Sequence, residues 1–231
     1  AISTSSILLV PYEPHHVTTY HEWMKDPEIQ ETTASEPLPL DEEYAMQRSW
    51  RTDHDKLTFI ACQPLPGDQE AMQRSAVAGK GDAPDRMLGD VNLFLAPADE
   101  DEEGCVGELE LMIASTSHRR RGYGRAAILA FLCYIETRLQ GILEEYRIGC
   151  GGKDGGRMNL LMLRVKIGGK NEKSIGLFEG IGFVKTGEGE NYFGEVEMVF
   201  EGAIGGGRVG KLLERFGIEA YREMEYAEGE P

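Results

Sequence analysis

The sequence contains few cysteines and no long hydrophobic run. Its 231 residues include four cysteines, and none of them forms a CxxC pair or lies at metal-ligand spacing from a histidine. We therefore expect reduced thiols and no bound metal, in an intracellular and cytoplasmic protein. No apolar run approaches the ~20 residues that cross a bilayer. The first ten residues have neither the basic start nor the apolar core of a secretory signal.

Positive charge is also scarce. The chain has 24 Lys and Arg against 40 Asp and Glu, which gives a formal net charge of −16. A surface of this sign repels nucleic acid and anionic membranes and attracts cationic molecules. We therefore expect no nucleic-acid or membrane partner, and we do expect a cationic one. The length and the hydrophobic content of 41% suit one domain, residues 1–231, with a full core.

Alternation and helical periodicity predict a mixed α/β or α+β domain. The predicted strands cover residues 7–12, 56–62, 87–96, 107–114, 160–168 and 191–201. The predicted helices cover residues 13–27, 39–53, 122–139, 171–183 and 208–221. Exposed insertions are predicted at about 63–86 and 146–158, an acidic turn at 99–103, and a C-terminal helical extension from about 205.

The stretch SHRRRGYGRAA, residues 117–127, concentrates four arginines and two glycines between a predicted strand and a predicted buried helix. It could be a nucleic-acid patch, a solvated charge run or a seat for a small anion. The first-turn amides of a helix have no partner within the helix, and its dipole favours an anion there. Because the other faces of this helix are apolar, duplex binding is poorly supported. The order of elements favours the anion seat.

This stretch resembles the pyrophosphate loop Q/R-x-x-G-x-G/A of the GCN5-related N-acetyltransferases (GNAT). NEKSIGLFEGIGF, residues 171–183, is similar to that family's N-x-x-S-x-x-x-[YF]-x-x-x-GF segment. The N-terminal half and GDVNLFL resemble the N-acetyltransferase 9-like group within the family. The resemblance covers most of residues 8–63, 88–140 and 160–200. It implies the GNAT fold: a central mixed, mostly antiparallel sheet, splayed between its fourth and fifth strands and flanked by helices.

The resemblance also implies a co-substrate, acetyl-CoA, and assigns residues to it. The backbone of Met112, Ile113 and Ala114 would pair with the pantetheine arm, and an amide near Met112 would bind the thioester oxygen. Asn171 and Ser174 would contact the pantetheine from the other side. The pyrophosphate would lie against the loop formed by Arg119, Arg120, Arg121, Gly122, Tyr123, Gly124 and Arg125.

Two acids on one face of a predicted central strand are the candidates for the catalytic base. Glu108 lies fourteen residues before Gly122, the spacing at which several family members keep their base, and Glu110 follows on the same face. The alternatives are ion pairs with neighbouring arginines, or recognition of a cationic acceptor without proton transfer. Phe178 stands where many relatives have a tyrosine that protonates the departing thiolate, and phenylalanine has no proton to donate. Water or Ser174 would replace it, or the thiolate would leave unaided.

The function that these features predict is acetyl transfer from acetyl-CoA to a primary amine, by direct attack in a ternary complex. A protein N-terminus or a lysine side chain is the expected acceptor, because the acidic surface suits a cationic protein or peptide. Two alternatives stay open: a weakly active or inactive CoA-binding partner module, and a small-molecule amine acetyltransferase on the same fold.

Overall fold

The computed structural model describes residues 1–66, 75–98, 104–152, 157–187, 189–202 and 204–229. Its strands are β1 Ile2–Ser3, β2 Leu8–Pro11, β3 Lys56–Cys62, β4 Ser75–Val77, β5 Met87–Pro97, β6 Cys105–Ile113, β7 Leu160–Gly168, β8 Phe183–Lys185, β9 Glu195–Phe200, β10 Arg222–Glu223 and β11 Glu225–Ala227. Its α-helices are α1 Val17–Trp23, α2 Pro27–Thr33, α3 Leu40–Thr52, α4 Tyr123–Gly149, α5 Glu172–Ile181 and α6 Arg208–Arg215. Short 3-10 helices cover Pro14–His16 and Thr116–His118.

Nine strands form one sheet in the order β10-β1-β2-β3-β5-β6-β7-β9-β8. Every neighbouring pair is antiparallel except β6 and β7, which run parallel. That parallel pairing covers only the stretch from Cys105 opposite Leu160 to Glu108 opposite Arg164. Beyond Glu108 the two strands separate, and β7 continues paired with β9 alone. The predicted fold class, with a sheet that opens between its fourth and fifth main strands, is confirmed.

The central helix α4 fills the core on one face of the sheet. The apolar stripe of its first half, including Phe131 and Ile135, is buried, whereas Leu139 at the end of that stripe is half-buried. Burial of one such side chain stabilises the fold by about 1.5–3 kcal/mol. The helix continues ten residues beyond its predicted end at Leu139, because Leu143 and Tyr146 extend the buried stripe at helical spacing. The predicted insertion at 146–158 is therefore wrong for residues 146–149, and residues 153–156 lie outside the described ranges.

By length and composition alone, α4 could also cross a membrane, because it contains an apolar window of 18 residues. Half of that window is buried inside the fold, as is common for the core helix of a globular domain. The helix is therefore accounted for by its packing on the sheet.

The two faces of β6 pack on different cores, as the predicted alternation requires. Leu109 and Leu111 pack on the α4 side, whereas Met112 packs with the cluster below α1 and α3. Glu108 and Glu110 share the face of Met112, because alternate residues of a strand point to the same side. The strand thus separates the core helix from the two acids.

Two predictions about the connecting segments are wrong. Pro27 does not end the first helix but begins α2, with the Asp26 side chain accepting a hydrogen bond from the amide of Glu28. The segment 63–86 is not exposed throughout, since Ala76 and Asp82 are buried and β4 pairs with β11. Residues 67–74 of that segment, and the predicted acidic turn at 99–103, lie outside the described ranges.

The C-terminal part is helical only at its start. The predicted helix 208–221 ends at Arg215, and Gly217 follows with a φ of +64°, a conformation in which glycine has no steric cost. After it, β10 pairs with β1 and β11 pairs with β4. These short strands were missed because their partners lie far away along the chain.

Candidate active site

The arginine–glycine stretch forms an open turn at the N-terminus of α4. Arg120 and Gly122 both adopt positive φ, +65° and +89°, which turns the chain sharply into the helix. The helical hydrogen bonds begin with Ala126, whose amide donates to the carbonyl of Gly122 at 3.0 Å. The amides of residues 123–125 precede this first bond, so the helix itself does not use them. Arg120, Arg121 and Gly122 are exposed beside these amides, as an anion seat requires.

Gly124 lies in the first turn of α4, where this helix packs against β6 and α5. A Cβ at this position would lie 3.4 Å from Leu111 and Leu177 and 3.7 Å from Ile113. Glycine therefore lets the first turn of the helix pack closely on β6 and α5. The predicted role of this residue in the loop stays a prediction, but its close packing is a structural reason for a small side chain.

A cavity of about 360 Å³ adjoins the turn and includes residues that the sequence did not suggest. The guanidinium of Arg125 lies 4.4 Å from the ring centroid of Phe216, just after α6. Phe216 and Ile218 line the cavity together with Arg121 and Tyr123. No local pattern connects residue 125 with residue 216, so only the folded chain shows that the C-terminal segment forms a wall of this site.

Unlike the exposed Arg120 and Arg121 of the same turn, Arg119 uses its side chain for hydrogen bonds and an ion pair with other parts of the fold. Its Nε donates to the carbonyl oxygen of Ile113 at 3.0 Å, and Nη2 donates to that of Ala114 at 3.4 Å. Its Nη1 forms an ion pair with Glu28 of α2. Arg119 therefore fixes the end of β6 to the turn and to α2, in addition to its charge near the anion seat.

The backbone amides of β6 point alternately toward β5 and into the gap between β6 and β7. The amide of Ala114 donates to the carbonyl of Leu88 at 2.8 Å, on the β5 side. In an antiparallel ladder such pairs alternate, so the amide of Met112 also points toward β5. The amides of Leu111 and Ile113 then point into the gap. The family resemblance predicted an oxygen-binding amide near Met112. The hydrogen-bond pattern shows that the amides facing the gap there are those of its two neighbours, Leu111 and Ile113.

On the far side of the gap, Asn171 begins α5 as predicted. Its Oδ1 accepts a hydrogen bond from the backbone amide of Ser174 at 3.1 Å, which caps the helix. The side-chain nitrogen, Nδ2, is then the group of Asn171 that can donate to a ligand. Both Asn171 and Ser174 are partly exposed. Phe178 lies one turn further, 4% exposed, with its ring packed against Phe183. It is a core residue and supplies no proton to the gap.

Glu108 is held by two cations of β7. Its Oε2 lies 3.0 Å from Nε of Arg164 and 2.9 Å from Nζ of Lys166. Arg164 also pairs with Glu197 of β9 at 3.4 Å. Glu108 stands at the last paired position before the strands separate. The ion-pair alternative considered for the two acids therefore describes Glu108.

Glu110 has a different environment at the mouth of the gap. Its side chain is exposed, but surrounding protein reduces its hydration. This desolvation, together with the negative charges of Asp90 and Glu108, raises the pKa of Glu110 to about 7, and Lys166 opposes the rise. A carboxylate with this pKa is matched to proton transfer near neutral pH.

A polar row runs from Glu110 into the covered side of the sheet. Thr58 of β3 and Asn92 of β5 lie opposite one another, and Asn92 lies opposite Glu110 of β6. Asp90, two residues from Asn92 on the same face, is 2% exposed. Its Oδ2 accepts from Asn92 Nδ2 at 2.8 Å and from the Tyr20 hydroxyl at 3.4 Å. Burial raises the pKa of Asp90 to about 6, although these two donors oppose the rise.

A second cluster, of ligand-type side chains, lies elsewhere. Nε2 of His15 and of His16 lie 3.0 and 2.9 Å from Oδ2 of Asp82, which also accepts from the Tyr226 hydroxyl. Nδ1 of His16 accepts the amide of Glu13 at 3.0 Å, so Nε2 of the neutral ring carries the proton. His16 therefore donates to Asp82 and offers no free lone pair to a metal. The cluster connects the first 3-10 helix, the segment before β5, and β11.

The comparisons with known proteins agree with this geometry. A family model described as an acetyltransferase (GNAT) domain matches residues 6–184. The chain belongs to the GNAT acetyltransferase family. An N-acetyltransferase 9-like protein of Schizosaccharomyces pombe is 41% identical over 85% of this chain and 94% of its own length. An alpha/beta-tubulin-N-acetyltransferase 9 of Drosophila melanogaster is 40% identical over 78% of this chain and 76% of its own.

Among solved structures, a spermidine N-acetyltransferase of Vibrio cholerae, in complex with CoA and spermine, covers 84% of this chain and 94% of its own. Its TM-score is 0.56 at 17% identity, which shows a shared fold and nothing about the acceptor. The predicted family, the N-acetyltransferase 9-like group and the class of enzyme, an acetyl-CoA-dependent N-acetyltransferase, are confirmed. The individual site residues and the cytoplasmic location stay predictions.

Proposed function

We propose that this GNAT enzyme acetylates a primary amine on a protein, with Glu110 as the catalytic base. The observation that carries the proposal is the position of Glu110. It lies on the strand whose free edge begins beyond Glu108, at the mouth of the gap between β6 and β7. The α/β-tubulin named for a relative 40% identical to this chain is the first acceptor to test.

The residues present fit acetyl-CoA. The first-turn amides of α4 and the exposed Arg120 and Arg121 suit a diphosphate, because a helix N-terminus and guanidinium groups both favour multiple negative charge. The amides of Leu111 and Ile113, on the free edge of β6, suit an extended amide-containing arm. Acetyl-CoA supplies an activated acetyl thioester; the protein supplies position, hydrogen bonds and a base.

The acceptor amine must lose a proton, because a primary amine is mostly protonated near neutral pH. Glu110 accepts this proton, directly or through water, while the amine nitrogen bonds to the acetyl carbon and the carbon–sulfur bond breaks. The Ile113 amide faces the gap and can donate to the oxygen that gains negative charge. Phe178 provides no acid for the thiolate, which then leaves unaided or takes its proton from water or Ser174.

Glu108 has a supporting role in this proposal. Its carboxylate is neutralised by Arg164 and Lys166, so it is less suited to accept a proton than Glu110. The ion pairs connect β6 and β7 at the point where the sheet opens. Glu108 therefore helps to hold the width of the gap, and its charge raises the pKa of Glu110 further.

Two matched variants test the base. With α/β-tubulin and labelled acetyl-CoA, Glu110→Gln should lower kcat by about 10²–10⁴-fold and leave acetyl-CoA affinity unchanged. Glu108→Gln should keep most of the activity, because it removes an ion pair and not the base. Wild-type kcat should rise as the pH increases through about 7, where Glu110 loses its proton. Equal losses in both variants, or loss in Glu108→Gln alone, would reject this assignment.

The acceptor is tested separately from the base. Labelled acetyl groups on tubulin, and none on spermidine or other small amines, would support a protein acceptor. Transfer to small amines alone would favour the small-molecule alternative. Binding of acetyl-CoA without transfer to any member of a peptide and amine panel would favour the inactive partner module.

A further inference from the structure

We propose that Asp90 is a positioning residue for acetyl transfer, which acts through its charge to make Glu110 a stronger base. This inference rests on the proposed role of Glu110 and extends it to a residue on the neighbouring strand. It follows from the position of Asp90 next to Glu110 in the sheet, from the charged groups around it, and from the lack of a cationic partner among the described residues.

Asp90 is close to Glu110 by the register of the sheet. Asp90 pairs with Met112 and Asn92 pairs with Glu110, so Asp90 and Glu110 are diagonal neighbours on one face. Diagonal positions in an antiparallel pair are about 7–8 Å apart, well within electrostatic range inside a protein. Asn92, between them, donates to Asp90 Oδ2 and holds the carboxylate in place.

The charge of Asp90 is held without a cation. None of the ion pairs formed by the described residues includes Asp90. By contrast, Glu43 of α3 does have a possible cationic partner, because its carboxylate lies 3.7 Å from Nδ1 of His21. Within the same residues Asp90 Oδ1 accepts no hydrogen bond, and Tyr12 Oη and Thr58 Oγ1 are also buried without a partner. A buried carboxylate in this state costs stability, and such costs are concentrated at functional sites.

The charged and titratable groups around the pair come from six elements. Around Glu110 they are Tyr20 of α1, Asp90 of β5, Glu108 of β6, Lys166 of β7 and Glu195 of β9. Asp90 also acts on Tyr12, which follows β2, and Glu43 of α3 acts on both Tyr12 and Tyr20. Among the charges that act on Glu110, that of Asp90 has the largest effect. Two carboxylates in this position do not ionise independently, because the first negative charge opposes the second.

The consequence is a defined effect on the pH profile. Asp90→Asn keeps the shape and the hydrogen bonding of the side chain but removes its charge, so Glu110 should lose its proton at lower pH. The acid limb of kcat should move down by about 1.5–2 pH units, from Coulomb's law at ~7 Å in an effective dielectric of ~20. A purely structural role would lower stability or total activity without moving the limb.

The experiment measures kcat against pH for the full chain with acetyl-CoA and α/β-tubulin. The variants are Asp90→Asn, Asp90→Ser as a second uncharged replacement, and Glu22→Gln, which removes an exposed carboxylate of α1. Both Asp90 variants should shift the limb in the same direction, and Glu22→Gln should not. A folded Asp90 variant with the wild-type limb overturns the inference, as does a higher acceptor KM with an unmoved limb.

Glu110→Gln separates this inference from the function on which it rests. If Glu110→Gln is inactive and the limb of Asp90→Asn is unmoved, the base assignment stands and the role of Asp90 is wrong. If Glu110→Gln keeps wild-type kcat, both are wrong. Melting curves and acetyl-CoA binding for each variant show whether an inactive protein is still folded.

Discussion

Gly89 permits the close approach of β5 and β6 beside the candidate active site, and its replacement by alanine should disturb both stability and function. A Cβ at Gly89 would overlap the carbonyl oxygen of Met112, lie 2.8 Å from its carbonyl carbon, and lie 3.0 Å from Cα of Ile113. Carbon atoms in good contact are 3.5–4.0 Å apart. The atoms in the way belong to the backbone, so no side-chain rotation relieves the overlap.

The magnitude follows from the displacement that alanine requires. Relieving the overlap requires β6 to move away from β5 by roughly 1 Å or more at this point, which stretches ladder hydrogen bonds on both sides of Gly89, and overpacking of this kind costs about 1–3 kcal/mol. Replacement of glycine by alanine otherwise favours the folded state by about 0.4–1 kcal/mol, through the unfolded chain. The steric cost should dominate. Since Ile113 carries a gap-facing amide, affinity for acetyl-CoA should fall as well.

Urea unfolding followed by circular dichroism measures the first effect, and isothermal titration with acetyl-CoA measures the second. Gly168→Ala is the matched control, because a Cβ there meets no atom within 4 Å and the residue ends β7. Gly168→Ala should be neutral or slightly stabilising. If Gly89→Ala unfolds at the same urea concentration as this control, the strands are not packed as closely as described.

Three further predictions concern side chains that connect distant segments. Asp82→Ala should cost on the order of 3 kcal/mol in urea unfolding, because His16 Nε2 and the Gly79 amide lose a buried acceptor. Burial lowers the pKa of His16, so the unfolded chain binds its proton more readily, and the contribution of His16 to stability should decrease as the pH falls below about 6.5. The raised pKa values of Asp90 and Glu110 have the opposite effect on total stability over this range, so the quantity to measure is the difference in stability between wild type and His16→Asn; a difference that stays constant between pH 7 and 5 would contradict this. Arg119→Ala should cost about 1 kcal/mol and weaken acetyl-CoA binding, since it releases Ile113 at the end of β6; unchanged binding by titration would show that Arg119 is only a surface charge.

The periodic elements were predictable because their signals are local. The alternation in residues 56–62 and the apolar run in residues 160–168 predicted strands whose bounds match β3 and β7 as observed. The helix predicted at residues 171–183 starts one residue before α5 does, and the side chain of Asn171, its first predicted residue, caps α5. The start of α2 had an equally local signal, Asp26 followed by Pro27, which favours a helix start; it was interpreted as a stop because proline also ends helices.

The relation between the two acids was not predictable from sequence. Alternation put Glu108 and Glu110 on one face, but it does not show what lies opposite them. Arg164 and Lys166 reach Glu108 from a parallel strand more than fifty residues away, and only the register assigns them to Glu108. The signal for Asp90 was present, since GDVNLFL places a carboxylate in an apolar strand, where a buried charge calls for a reason.

The C-terminal segment has a consequence for the order in which the protein becomes competent during translation. Phe216 stacks on Arg125, and the segment after α6 completes the wall beside the arginine turn. A ribosome-bound chain that has released α4 and α5 still lacks this wall. Such a nascent chain has the helix amides but an incomplete pocket, so co-substrate binding should strengthen only when the last segment emerges and folds back on α4.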